Sequence, residues 1–453
     1  MTRVLPPGEK SISPLGISLG FARDPLRFIL EQYERHGRLV AIPGPIYKPT
    51  FLIHDLDLLS EVFVKKASAF GKPDPIKQIL APVFGNGLFF SEGEFWKRQR
   101  KLAQPAFHHH RLQTYAERMV AHTQAHLAAW REGQTLVLNR DMRALTLQIV
   151  VDAIFKTELP GTAEKIALWM ETLGEIANAQ VTNPLKAAIP DWAPVQMMRR
   201  KRQAAAELDK IIYEIIEARR QDPADRGDLI SMFLAIEDEE TGERMTNQQV
   251  RDEVMTMFVA GHDTTALTLT WVFMLLSRHP EVDAALQAEL AAVLNGRPPQ
   301  AADFAQLPYT QAIVKETLRL YPPVWLLFRV ARQEVEIGDT LIRNGEVVLS
   351  APYILHRLAE FYPEPERFRP ERFLPDEQGQ TLERQIHRLA YLPFSTGPRV
   401  CIGNGFALLE GTLLLATIAQ QYRLQLPQDF AIEPEVRVIL IPKGEVQVTL
   451  ERR

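Results

Sequence analysis

The stretch Phe394-Ser-Thr-Gly-Pro-Arg-Val-Cys401-Ile-Gly403 decides the fold, because it places the only cysteine of 453 residues in a loop punctuated by glycine. Gly397 and Gly403 permit close backbone approach, and Arg399 puts a cation two residues from the thiol. The apolar helix that follows offers free N–H groups and a positive dipole end. A lone cysteine is usually an inert buried residue, but this setting stabilises a thiolate, either a nucleophile or an axial ligand of iron.

The composition is that of a globular enzyme. A net charge of −4, from 52 basic and 56 acidic residues, argues against a protein that coats nucleic acid. A single cysteine excludes an intrachain disulfide, a four-cysteine zinc site and a cysteine-held iron–sulfur cluster. It also favours a reducing compartment, so we expect a cytoplasmic protein.

Neither the N-terminal segment nor the most apolar segment of the chain indicates a membrane protein. Residues 1–16 contain no apolar stretch long enough for a signal peptide or an anchor. The segment 254–276 is long enough to span a bilayer, but Gly261-His262-Asp263 stands at its centre. Since an aspartate at a bilayer midplane is costly, the segment is predicted to be a buried helix of a soluble protein.

Helical periodicity dominates the chain from about Asp24 onward. Residues 201–220 carry their apolar side chains on one face of a helix. Thr246 and Gln249 form a capping box, and the helix that they open runs unbroken to Arg278. At 1.5 Å per residue, this helix is roughly 48 Å long and crosses a whole domain.

Short strands are predicted near both ends of the chain. After Leu320 the frequent prolines exclude another long helix until the one that follows Cys401. The sequence therefore predicts a mainly α protein with small dispersed β-sheets, organised as one interleaved domain over residues 1–453. The predicted strands are 39–42, 51–53, 335–337, 347–351, 436–441 and 446–450.

The loop from Phe394 to Gly403 resembles, at every position, the heme-binding signature F-x-x-G-x-R-x-C-x-G of the cytochromes P450. Ala407 and Glu410 continue the resemblance, since they match the A-x-x-E of the following helix. The resemblance identifies Cys401 as the thiolate ligand of the iron of heme b, with Phe394 packed near the sulfur. It implies the family's single-domain fold, a triangular prism of helices with heme between the long central helix and the helix after the cysteine loop.

The centre of the long helix resembles a second motif of the family. Ala260-Gly261-His262-Asp263-Thr264-Thr265 matches the oxygen-activation pattern A-G-x-[DE]-T-T. The resemblance implies that Ala260 and Gly261 leave room for O2, that Thr264 hydrogen-bonds it and that Asp263 relays protons. The residues alone also allow a threonine bonded to a carbonyl four residues earlier, with the aspartate on a solvated face. Apolar neighbours argue against solvation and favour a salt bridge or a water link for Asp263.

Two arginine-containing motifs resemble the family's structural and cofactor contacts. Glu316 and Arg319 form its E-x-x-R, and their spacing places both side chains on one helix face. Arg372 completes the family's buried Glu–Arg–Arg cluster, which we interpret as structural.

Trp96 and Arg100 resemble the family's W-x-x-x-R motif. The resemblance assigns both to a heme propionate, together with Arg329 and Arg399. An arginine suits a carboxylate because its planar fork donates two hydrogen bonds.

The residues around this motif leave two interpretations open. Lys97, Arg98 and Lys101 are either a solvated face or a basic patch for an acidic electron donor. The resemblance implies a ferredoxin or flavodoxin with its reductase. His108–His110 suggests a loop or a helix start rather than a metal site, because adjacent residues do not share a helix face.

The predicted substrate contacts are almost wholly apolar, which implies a lipophilic substrate such as a fatty acid, terpenoid, sterol or carotenoid. The motifs resemble the fatty-acid hydroxylases and their bacterial carotenoid-hydroxylating relatives more than camphor-type enzymes. An apolar core is the alternative for each contact. The predicted contacts are Phe89, Phe258, Ala260, Val324, Trp325, Leu326, Leu327 and Phe328.

The sequence thus predicts a monomeric monooxygenase that uses O2 and NAD(P)H-derived electrons, delivered by separate proteins because no flavin or dinucleotide-binding domain is attached. Three alternatives remain. They are a peroxide-driven P450 peroxygenase or isomerase, a heme-thiolate binding protein without turnover, and a heme-free hydrolase with Cys401 as its nucleophile. The intact Asp263-Thr264 pair argues against the first two, and no histidine stands out as a base for the third.

Overall fold

The computed structural model of the protein describes residues 5–8, 19–43, 48–156, 162–222, 224, 226–238 and 241–453. The chain forms two compact units, each assembled from separate stretches. The first comprises Met1–Pro73, Gln311–Cys401 and Glu433–Ile441, and the second Asp74–Thr310, Ile402–Ile432 and Pro442–Arg453. Much of the N-terminal segment predicted to carry no anchor lies outside the described residues.

Helices make up most of the described chain, as the periodicity predicts. In the first half they are α1 (Leu19–Arg23), α2 (Pro25–His36), α3 (Leu56–Ser60), α4 (Asp74–Phe84), α5 (Gly93–Ala103), α6 (His109–Leu127), α7 (Leu138–Phe155), α8 (Thr162–Thr182) and α9 (Pro184–Ala187). They continue with α10 (Gln196–Gln221), α11 (Leu229–Ala235), α12 (Asn247–Arg278), α13 (Pro280–Leu294), α14 (Pro308–Leu320), α15 (Pro352–Leu355), α16 (Leu382–Gln385) and α17 (Asn404–Ala419).

The strands are short and far apart in the sequence. They are β1 (Leu39–Pro43), β2 (Pro49–Ile53), β3 (Phe70–Gly71), β4 (Thr135–Val137), β5 (Leu327–Ala331), β6 (Val335–Ile337), β7 (Thr340–Ile342), β8 (Val347–Ser350), β9 (Tyr422–Gln425), β10 (Pro434–Val436), β11 (Leu440–Pro442) and β12 (Gln447–Arg452). The largest sheet has the order β1-β2-β8-β5-β3 and belongs to the first unit. Only β2 and β8 pair in parallel within it.

The predicted strands are confirmed to within two residues, with one correction. The predicted strand 436–441 is two strands, β10 and β11, because the Arg437 N–H bonds to the Ile439 carbonyl and turns the chain between them. The sequence did not predict β3, β4, β5, β7 or β9. Four of these five have only two to four residues, too few to establish an alternating pattern.

Helix α12 confirms the predicted capping box. The Gln249 N–H bonds to Thr246 Oγ1 at 3.2 Å, and the Thr246 N–H bonds to Gln249 Oε1 at 2.8 Å. The helix has the predicted 32 residues and packs along α7 in the second unit. Within the described ranges, no helix has both the length and the apolar character that crossing a membrane requires.

Candidate active site

The Cys401 loop is closed on itself in the first unit. The Cys401 N–H bonds to the Phe394 carbonyl at 2.9 Å, and the Val400 N–H bonds to the Gly397 carbonyl at 3.0 Å. The Cys401 side chain is exposed, and α17 begins only at Asn404. The structure therefore holds the thiol on an ordered turn rather than within an apolar core.

Gly397 is required by this turn for two reasons. Its φ is +70°, which is unfavourable for other residues, and a Cβ atom there would lie 1.9 Å from the Phe63 carbonyl oxygen. Gly403 is the N-cap of α17 and has an ordinary φ of −90°, and its predicted role in close backbone approach stays a prediction.

Two guanidinium groups lie near each other in the same unit as the Cys401 loop. Arg329, on β5, is buried above the Phe63 ring at 4.7 Å. Burial and the proximity of Arg399 lower the pKa of Arg329 to about 10. No described carboxylate acts on Arg329, whose guanidinium donates to the Phe328 carbonyl at 2.9 Å. A buried cation with a second cation, the partly exposed Arg399, beside it favours an anionic group nearby.

The Glu–Arg–Arg cluster of the first unit is fully formed. Arg319 donates to both oxygens of Glu316, at 2.7 and 2.8 Å, and Arg372 Nε lies 3.3 Å from Glu316 Oε1. Arg319 also donates to the carbonyls of His356, Pro365 and Arg367. The cluster thus joins α14 to the segments that follow it.

Helix α12, in the second unit, is buried from Val250 to Leu276 except at its middle. Residues 250–258 and 265–276 are buried, whereas Ala260 is exposed and residues 261–264 are partly exposed. The polar motif found in the sequence therefore coincides with an opening along an otherwise buried helix.

Asp263 is salt-bridged, one of the two predicted alternatives. Its Oδ1 lies 3.1 Å from Nε of Arg143 on α7 and 3.7 Å from Nδ1 of His262. Water still reaches the pair, because Asp263 and Arg143 keep 37% and 42% exposure, so the predicted lack of solvation was wrong. Burial and Arg143 lower the pKa of His262, against the opposing effect of Asp263, and its Nε2 lies 3.2 Å from the Arg143 carbonyl oxygen.

Sequence reasoning missed Arg143. It stands 120 residues before Asp263, and no motif marks it. Only the packing of α7 on α12 brings the two side chains together.

One neighbour of Asp263, Gly261, differs from the expectation that it leaves room for O2. A Cβ atom on Gly261 would lie 3.3 Å from Val150 Cγ2, so the missing side chain faces α7 and permits close helix packing. The Thr264 hydroxyl donates to the Ala260 carbonyl at 2.7 Å, as the alternative interpretation of the residues allows. Ala260 alone presents its small side chain to the opening.

Trp96 and Arg100 lie one turn apart on α5, with the guanidinium 6.0 Å from the ring centre. Arg98 pairs with Glu243 at 2.9 Å and approaches Asp238 at 3.5 Å, and Lys97 pairs with Glu94. Lys97 and Arg98 are therefore partly neutralised within the chain. His109 begins α6 and His108 is its N-cap, so the predicted helix start is confirmed.

Comparison with known proteins agrees with these motifs. Residues 6–450 match the family model Cytochrome P450. The chain belongs to the cytochrome P450 family. It is 37% identical to cyclooctatin synthase of Streptomyces melanosporofaciens over 94% of this chain and 91% of that protein. It is 36% identical to cyclooctat-9-en-7-ol 5-monooxygenase of the same organism, over 92% of this chain and 88% of that protein.

A solved structure of the family also resembles this P450. The retinoic acid-bound cyanobacterial CYP120A1 superimposes with a TM-score of 0.85 at 25% identity, covering 99% of both chains. The predicted mainly α P450 fold is confirmed. This P450 is a heme-dependent monooxygenase that uses O2, receives NAD(P)H-derived electrons through partner proteins and oxidises a lipophilic substrate.

The residues of this P450 fit heme b. A thiolate is a ligand that binds heme iron, and Cys401 is exposed on an ordered loop. Heme carries two anionic propionates, and the buried Arg329 beside Arg399 supplies the cationic partners that such groups need.

The predicted substrate residues fall into two groups. Phe258, Trp325 and Leu327 are buried in the hydrophobic cores, so the structure corrects their assignment as substrate contacts. Trp325 also bonds through Nε1 to the Arg437 carbonyl. Surface remains on Phe89, Ala260, Val324, Leu326 and Phe328. Leu327 and Phe328 begin β5, where successive side chains point to opposite faces, so Leu327 turns inward and Phe328 keeps some surface.

Proposed function

We propose that this P450 hydroxylates a cyclic terpenoid at an unactivated C–H bond. The observation that carries the proposal is the opening in α12, where Thr264 and the ion-paired Asp263 stand on an otherwise buried helix. The relatives support the substrate class, since cyclooctat-9-en-7-ol is a terpene alcohol and the retinoic acid of the similar structure is also an isoprenoid. The apolar Phe89, Val324 and Leu326 suit such a molecule.

We assign the cofactor contacts as the family motifs do. Cys401 is the iron ligand, Phe394 and Gly403 shape its loop, and Arg329, Arg399, Trp96 and Arg100 hold the propionates. Bound through a thiolate, heme supplies the cleavage of O2 and the oxidation of the C–H bond. The balance is RH + O2 + two electrons + two protons, which gives ROH + H2O.

The protons for this reaction are handled by the chain. The Asp263 carboxylate is fixed by Arg143 yet remains in contact with water, so it can take a proton from solvent and pass it on. The Thr264 hydroxyl, which donates to the Ala260 carbonyl, would exchange this bond for one to O2. The small side chain of Ala260 leaves space beside the Thr264 hydroxyl.

The electron donor belongs to the same proposal. We infer a ferredoxin or flavodoxin that docks on a basic surface including Lys97, Arg98 and Lys101, of which Lys97 pairs with Glu94 and Arg98 with Glu243 within the chain. A single catalytic domain over residues 1–453, a monomer and a cytoplasmic location stay predictions.

The first experiment is the carbon monoxide difference spectrum of the reduced protein. A strongly red-shifted Soret band is expected from heme bound by the Cys401 thiolate, and Cys401→Ser should lose that band. A band at the position of neutral axial ligands would refute the thiolate assignment. Protein without heme, after expression with ample heme supply, would overturn the proposed function.

Thr264→Ala tests the oxygen chemistry. We expect the heme spectrum to remain and the product formed per O2 consumed to fall, with peroxide released instead. Unchanged product per O2 would contradict the role of Thr264. Full turnover with peroxide and no reductant would favour the peroxygenase alternative.

A further inference from the structure

Three consecutive charged residues, Arg251, Asp252 and Glu253, are buried in the first half of α12. Charged side chains are seldom buried unless they are paired or hydrogen-bonded. All three bind one segment of the second unit, the end of α4 and the loop after it. None of them takes part in the oxygen chemistry described above.

Arg251 fixes the end of α4. Its guanidinium donates to the carbonyls of Pro82 and Val83, at 2.9 and 3.1 Å, which lack partners within the helix. Asp209 on α10 balances the charge at 2.6 Å. The last turn of α4 is thereby tied to α12.

Asp252 and Glu253 fix the loop that follows. The Asn86 N–H bonds to Asp252 Oδ2 at 2.8 Å, and the Leu88 N–H bonds to Glu253 Oε2 at 3.1 Å. Contact is so close that a Cβ atom on Gly85 would lie 2.0 Å from Asp252 Oδ1. Gly85 also has a φ of +53°, so no other residue suits this position.

The loop held in this way presents Phe89, the residue after Leu88. Phe89 is 37% exposed, and its ring stacks on Phe84 at 5.2 Å and meets Phe90 edge-on at 4.8 Å. Glu253 and Ala260 are seven residues apart on α12, which places them on one face about 10 Å apart along the axis. The anchored loop therefore meets α12 two turns from its opening and on the same side.

We propose that Asp252 and Glu253 are positioning residues for the substrate, which hold the 85–88 loop on α12 so that Phe89 presents its ring to an apolar substrate. The proposal rests on the proposed function, because it takes Phe89 as a substrate contact. Of the two residues, Glu253 allows the more decisive experiment. Its Oε1 is buried with no described partner, and burial, aided by Asp252, raises its pKa to about 8. Glutamine is therefore a close substitute for the neutral acid.

The test compares Glu253→Leu with Glu253→Gln in the heme-loaded full chain. Clotrimazole binds iron through its azole, and its bulky aromatic groups occupy the substrate side. Its binding is titrated by the shift of the Soret band. Imidazole, which binds the iron but lacks the bulky groups, is the control for the iron site alone. We expect Glu253→Leu to weaken clotrimazole binding fivefold to tenfold and imidazole binding less than twofold. Glu253→Gln should bind both azoles like the unaltered protein. Hydrogen exchange of the Leu88 amide, which needs no ligand, should accelerate in Glu253→Leu only.

A double-mutant cycle with Phe89→Ala shows whether Glu253 acts through Phe89. In the Phe89→Ala background, Glu253→Leu should change clotrimazole affinity by less than twofold, because the ring that it positions is gone. Unchanged clotrimazole binding in the single variant, or equal losses for both azoles, would overturn the positioning role. Additive losses in the cycle would also overturn it. If no variant shows a Soret shift with either azole although Leu88 exchange responds as expected, the proposed function itself has failed, and the role in substrate binding fails with it.

Discussion

Glu316 and Asp263 both pair with arginine, but their surroundings differ in every respect that matters for chemistry. The side chains of Glu316 and Arg319 are 0% exposed, and Glu316 accepts further bonds from Arg372 and the Arg369 N–H. Asp263 is 37% exposed, and Arg143 supplies its one short ion pair. The Glu316 carboxylate accepts bonds from several donors and is closed to water. The Asp263 carboxylate has one short ion pair and is partly exposed.

The difference separates a structural ion pair from one that can serve a reaction. Removing one partner of a buried pair leaves an uncompensated charge, so a saturated cluster strongly resists change. A proton relay needs the opposite, a carboxylate that exchanges partners and meets water. Burial and the number of donors therefore distinguish the two roles better than the presence of an ion pair does.

The largest expected effect is on the stability of the Glu316 cluster. Glu316→Gln should lower the free energy of unfolding by about 3–5 kcal/mol, because it leaves Arg319 and Arg372 buried without a counter-charge. Denaturant unfolding and the heme content of the purified protein measure the loss.

The matched control is Glu94→Gln, which breaks the exposed pair with Lys97. A change within about 0.5 kcal/mol is expected, because surface ion pairs contribute little. Equal losses in the two variants would remove the contrast between buried and exposed pairs.

The next effect is on the rate rather than on stability. Asp263→Asn should lower the turnover rate about a hundredfold, because the amide cannot relay a proton. The free energy of unfolding should change by less than about 1 kcal/mol, since the pair that it breaks is exposed to water. Steady-state turnover, product per O2 and denaturant unfolding are the measurements. A loss of stability as large as that of Glu316→Gln would mean that Asp263 is also structural.

A smaller effect is expected for Arg143, which acts only through Asp263. Arg143→Gln should lower the turnover rate about tenfold, and it should change the rate of Asp263→Asn less than twofold because coupled sites are non-additive. Arg140→Gln is the control, since Arg140 lies on the same helix but pairs with the exposed Glu445. If Arg143→Gln lowered the turnover rate of Asp263→Asn by a further tenfold, Arg143 would have a role of its own.

The two carboxylates also differ in how far the sequence could predict their contacts. Glu316 and Arg319 are three residues apart on one helix face, so their pairing follows from local geometry. The capping box of α12 and the Cys401 loop are local in the same sense. Arg143 and Asp263 meet only through packing of α7 on α12, and no periodicity within either helix specifies that contact.

The sequence also could not predict which side chains of a helix or strand face the core. Phe258, Trp325 and Leu327 match substrate positions of the family in order along the chain, yet the structure buries them. A strand as short as Phe70–Gly71 has no pattern to detect, and its partners on β5, Ala331 and Val330, stand 261 and 259 positions away. Apolar character alone does not separate a core residue from a substrate contact.

A third kind of carboxyl, buried but without an arginine, completes the comparison and has the smallest expected effect. Glu410 on α17 is bonded to Thr265, and burial raises its pKa from 4.5 to about 8. Between these values the folded chain holds a proton that the unfolded chain has lost, so the free energy of unfolding falls as pH rises.

Glu410→Gln should flatten this dependence by about 1 kcal/mol per pH unit between pH 6 and 7, because glutamine has no proton to lose. Denaturant unfolding of both proteins at pH 5, 6, 7 and 8 measures the difference in slope. Glu94→Gln should keep the slope of the unaltered chain, since Glu94 is exposed. Equal slopes in Glu410→Gln and the unaltered protein would show that Glu410 is charged at neutral pH. A buried carboxylate would then tolerate its charge without a guanidinium, and the saturation of Glu316 by arginines would no longer explain its structural role.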